Sequence, residues 1–89
     1  MQRVEFTIEP FVEGEPGRHV TVPVEAVRAR GYAVDFGPFG SECVTPTAET
    51  PDVVAEILRT AFANGATHVT IDVAAADATT EMIRPVVEG

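Results

Sequence analysis

YAVDFGPFGSECVT, residues 32–45, is the stretch that decides the fold. Two short runs, 32–36 and 41–45, flank a Gly37-Pro38-Phe39-Gly40 bend. Their alternation of apolar and polar side chains is the period of half-buried strands. In the first run Tyr32, Val34 and Phe36 face inward and Asp35 outward; the second pairs back on it as a hairpin. What lies on either side of this hairpin then sets the architecture.

Downstream, Thr50 is placed to cap a helix, with Pro51 at its first position and Asp52 at the positive end of its dipole. Val53, Val54, Ile57, Leu58, Ala61 and Phe62 form one apolar face, and Gly65 closes the helix. ATHVTIDVA, 66–74, follows as a strand with Val69, Ile71 and Val73 inward and His68, Thr70 and Asp72 outward. Upstream, HVTVPVEAVRARG sets Val20, Val24 and Val27 on one helical stripe that ends at Gly31. Pro23 leaves two starts open: a helix beginning near Val22 with proline in its first turn, or a longer helix kinked there. The first is the expectation. VEFTIEPF, 4–11, alternates Val4, Phe6 and Ile8 against Glu5, Thr7 and Glu9 until Pro10, and VEGEPG, 12–17, is a loop.

The order is β-α-β-β-α-β. It implies an α+β, ferredoxin-like sandwich: a four-stranded antiparallel sheet with both helices on one face. The domain spans residues 1–76. The tail, 77–89, carries Met82, Ile83, Val86 and Val87 and is expected to pack at an oligomer interface. The sheet face opposite the helices carries Glu5, Thr7, Glu9, Asp35, His68, Thr70 and Asp72. That face is solvated or makes a polar contact.

Composition narrows the function. Eighty-nine residues make one small domain, with a modest core that association with a second copy would supplement. Net charge is −8, and all six basic residues are arginines scattered from Arg3 to Arg84. No basic stripe exists for nucleic acid or an anionic membrane. No apolar run is long enough to span a bilayer, and Glu5 interrupts any signal-peptide core, so a cytoplasmic location is expected. Cys43, the single cysteine, sits in an alternating run and reads as a small core residue. The acids lack the spacing of a calcium loop, and His19 and His68 fall in no zinc pattern. There is no phosphate-binding loop, nucleophile elbow or Cys-x-x-Cys.

Three stretches taken together, VEFTIEPF, VDFGPFG and NGATHVTIDV, resemble the small thiamine-binding protein family over about residues 3–74. The resemblance implies the same ferredoxin-like fold, non-catalytic binding of thiamine or its hydroxymethylpyrimidine half as carrier or sensor, and a homodimer or homotetramer. Thiamine would be a ligand, with no cofactor required. The matching positions are Thr7, Glu9, Pro10 and Phe11 in the first motif, and Gly37, Pro38, Phe39 and Gly40 in the second. The chain departs from the family after Gly40, where SECVTPTAET stands; Glu42 or Thr45 is the substitute there. Such a ligand needs an aromatic face to stack on, acceptors for its exocyclic amine, and anions or rings facing its cationic thiazolium. The glycines beside Phe39 let a planar ligand approach the backbone, and Pro38 stiffens the bend.

Two other classes stay open. One is a regulatory or oligomerisation module of the same fold that binds another small molecule or a protein. The other is an acylphosphatase-like enzyme, for which Arg18 is present but the surrounding motif is missing. Fold alone does not choose among them.

Overall fold

The computed structural model describes residues 1–11, 16–37 and 40–76. Six elements follow the expected order: β1 (Gln2–Glu9), α1 (Arg18–Ala29), β2 (Asp35–Gly37), β3 (Gly40–Thr45), α2 (Thr50–Ala63) and β4 (His68–Ala75). The four strands pair antiparallel in the order β2-β3-β1-β4. On β1, Val4, Phe6 and Ile8 are buried and alternate with exposed Glu5 and Glu9. They share one core with Val24 and Val27 of α1, Cys43 of β3, and Val53, Ile57 and Ala61 of α2. Both helices therefore cover the same face of the sheet, and among the described residues no element covers the other. Gly31 and Gly65 follow the two helices at φ 99° and 101°, the left-handed conformation in which glycine closes a helix.

α1 is longer than expected. It starts at Arg18, so Pro23 lies inside it rather than in its first turn. A proline there removes a backbone bond to the preceding turn, a loss that would favour a later start. Local first-turn bonds and one tertiary contact hold that turn in place. The N–H groups of Val20 and Thr21 both donate to the Gly17 carbonyl at 3.0 Å. The buried ring of His19 is pinned by Nε2 to the Pro10 carbonyl at 2.6 Å. A Cβ on Gly17 would sit 2.8 Å from that ring, so any larger residue there would have to displace it.

Edges account for most other departures. β2 has only three residues; Tyr32 packs on the core and Val34 is buried, but neither joins a strand. The Phe36↔Ser41 register places Phe36 on the helix side, yet it is 42% exposed. Val73, opposite Val4, is 43% exposed at the other edge. The helices cover the central strands and stop short of both margins. Of the expected apolar face of α2, only Val53, Ile57 and Ala61 are buried, while Leu58 and Phe62 look outward. Thr50 is the first helical residue, with Glu49 as the cap. Its buried hydroxyl lies 2.7 Å from that of Thr45 and donates to the Pro46 carbonyl, tying α2 to the end of β3.

Arg30, just past α1, donates to Glu56 of α2 at 2.9 Å, and Arg59 reaches the same oxygen at 3.4 Å. The Arg30 hydrogen bond holds the Glu56 carboxyl below its ordinary value. A depressed carboxyl favours folding at neutral pH and loses that contribution as pH falls through its folded-state value. Glu56→Gln should thus lower the urea midpoint slightly at neutral pH and leave it unchanged in acid.

Candidate functional site

The ladders bring residues from all four strands into rows on the open face. Asp35 lies opposite Glu42, Glu42 opposite Glu5, and Glu5 opposite Asp72. Four carboxylates thus stand in one row across the sheet. Like charges directly opposed destabilise a sheet, so the row runs against stability. Rules of local stability are commonly broken where a protein binds something.

The next row is small and hydroxylic. Gly37 pairs with Gly40, the Oγ1 of Thr7 lies beside Gly40, and Thr7 faces Thr70. A Cβ on Gly40 would come within 3.3 Å of the Thr7 hydroxyl and the Phe6 carbonyl, and one on Gly37 within 3.2 Å of the Gly40 carbonyl. With both Cβ atoms missing, the backbone itself forms a floor. Over it lies an open cavity of about 320 Å³ lined by Glu5, Thr7, Asp35, Gly37, Gly40 and Glu42, with Phe6 and Ser41 beneath. Small-molecule sites run from about 300 to 1,000 Å³, so this one suits a ligand of one or two rings.

Arg3 approaches Glu42, its Nε 3.2 Å from Oε2. Among the described residues, Glu5 and Asp35 have no ion-pair partner. The cavity wall therefore keeps a negative excess. Its carboxylates are spread along the wall: among the described residues, no three His, Cys, Asp or Glu side chains gather closely enough to hold a metal ion. A diffuse organic cation matches such a wall. Behind Glu42, on the core side of β3, burial pushes the Cys43 thiol up, and the Glu42 charge adds to it. The thiol stays protonated and is a packing residue.

Of the positions singled out in the sequence, Thr7, Gly37, Gly40 and Glu42 line the cavity. Glu9 does not; it stands one row beyond Thr7 on the same face, opposite His68. Phe11 lies past the end of β1 and is 67% exposed, away from the lining. Pro38, Phe39 and the tail 77–89 fall outside the described residues. Glu5 and Asp35 were legible as polar-face residues but not as site residues. Gly37 pairs with Gly40, close to it along the chain, and Asp35 thereby falls opposite Glu42, a short-range relation. Glu5 joins them only through the β1–β3 ladder, a pairing of distant segments.

Among the described residues, no helix is long and apolar enough to cross a membrane. Compared with protein-family models, curated proteins and solved structures, the chain matches none.

Proposed function

We propose that this chain binds thiamine, or its hydroxymethylpyrimidine half, on the open sheet face without catalysing a reaction. It would act as a cytoplasmic carrier or sensor, in a homodimer or homotetramer. The observation that carries this proposal is the cavity itself: a backbone floor at Gly37 and Gly40 next to a wall of carboxylates. A planar ring needs close approach to a flat surface, and a thiazolium needs fixed negative charge nearby. Both lie within one small volume. The wall also disfavours a pyrophosphate, whose charge it would repel.

Titration calorimetry with thiamine, hydroxymethylpyrimidine and thiamine pyrophosphate tests this, with the pyrophosphate expected to bind more weakly than free thiamine. Phe39→Ala should weaken binding by about 1–2 kcal/mol, the scale of a lost aromatic contact plus its buried area. Glu9 flanks the Thr7 row on the side away from Glu5, so Glu9→Gln should weaken thiamine more than the neutral pyrimidine half. Circular dichroism on each variant separates lost binding from lost folding. If both variants stay folded and bind as the parent does, the site lies elsewhere. If the parent binds neither ligand, a regulatory or interaction module becomes the better assignment.

A further inference from the structure

The two edges of the sheet are built differently. β2 has three residues and is followed in the sequence by Pro38, and a short strand beside a proline is an edge blunted against further pairing. β4 runs for eight residues, HVTIDVAA, with no lysine, proline or glycine. Among the described residues it pairs with β1 only. An edge this long and this rich in β-branched residues is a template for another strand.

The roof above that edge is apolar. Glu56 reaches Arg30 at the end of α1, which identifies the flank of α2 that looks toward α1. Leu58 and Phe62 lie roughly on the opposite flank, at about 100° per residue. They therefore face the β4 side, exposed by 38% and 51%, and Val73, on the helix-facing side of β4, is 43% exposed.

We infer that β4 pairs antiparallel with β4 of a second copy about a two-fold axis through Ile71, joining two sheets into one. The backbone supplies the register. The Ala76 N–H donates to the Met1 carbonyl at 3.1 Å, and bonded pairs alternate along an antiparallel ladder. Thr70, Asp72 and Ala74 thus turn their backbone groups toward β1, and Val69, Ile71 and Val73 turn theirs outward. Residues opposed across an antiparallel pair share a face, so the axis must pass through a residue. An axis through Asp72 sets its carboxylate against that of its own copy, which is repulsive. An axis through Ile71 sets Val69 against Val73 of the second copy on the helix side, and Asp72 against Thr70 on the open side. It also brings Leu58 and Phe62 of both copies to the seam. The two acidic cavities then share one continuous open face.

The test reads mass rather than ligand, so its outcome does not depend on whether thiamine binds. Sedimentation equilibrium on the full chain should find a dimer at micromolar concentration. Thr70→Asp places a carboxylate opposite Asp72 at both symmetric positions and should raise the dissociation constant about tenfold. Thr70→Lys should lower it several-fold, and Val73→Lys, which charges the edge, should give a monomer with an unchanged circular dichroism spectrum. A monomeric parent overturns the proposal. So does a dimer indifferent to both Thr70 substitutions, or one lost only on removing residues 77–89, which would assign the interface to the tail.

Discussion

Ile57→Ala is expected to lower the free energy of unfolding by about 2–5 kcal/mol. Ile57 has no exposed surface and sits mid-way along α2, in the core that α2 shares with Val4, Phe6 and Val27. Truncation removes burial worth roughly 0.8 kcal/mol per methylene and leaves a void that two helices and a sheet cannot fully close. Alanine is the better helix former by a few tenths of a kcal/mol, which offsets little of this. Small domains have about 5–15 kcal/mol in all, so the change consumes a large share. Leu58→Ala, one residue on and 38% exposed, should cost about 1 kcal/mol or less. Urea denaturation of both variants checks the contrast. Equal losses would mean that α2 does not cover the sheet through Ile57.

Glu5→Lys should move stability and binding in opposite directions. Glu5 is opposed by Glu42 on one side and Asp72 on the other. Lysine turns two like-charge pairs into two opposite-charge pairs, each worth about 0.2–1 kcal/mol, for a net gain of about 1 kcal/mol at low salt. The same substitution puts a cation on the cavity wall. For a thiazolium about 6 Å away, reversing one charge at an effective dielectric between water and protein surface is worth upwards of roughly 1.4 kcal/mol. Thiamine affinity should fall at least about tenfold, and that of the neutral pyrimidine half much less. Glu5→Gln should show half of each trend. A structural carboxylate would behave otherwise: its loss would lower the denaturation midpoint and leave binding alone. That result would remove the acid row from the site.

Local chemistry wrote much of this protein into its sequence. Alternation on β1 separated Val4, Phe6 and Ile8 from Glu5, Thr7 and Glu9, and the structure keeps that division. Gly31 and Gly65 marked both helix ends because only glycine takes positive φ cheaply. The hairpin between two helices determined the α+β order, and the spacing of Gly37 and Gly40 set its register. These features are legible because each depends on residues close along the chain. What the tertiary structure alone decided depends on distant segments. Whether Phe36, Val73, Leu58 and Phe62 are buried is set by how far two helices reach across a four-stranded sheet, which no periodicity encodes. α1 extends past Pro23 because His19 finds the Pro10 carbonyl, a contact between helix and strand end. The carboxylate row exists only because the β1 ladders set Glu5 between Glu42 and Asp72, residues far from it in sequence. A one-residue slip in either ladder would send those side chains to opposite faces, so the site is a property of register, and register belongs to the folded sheet.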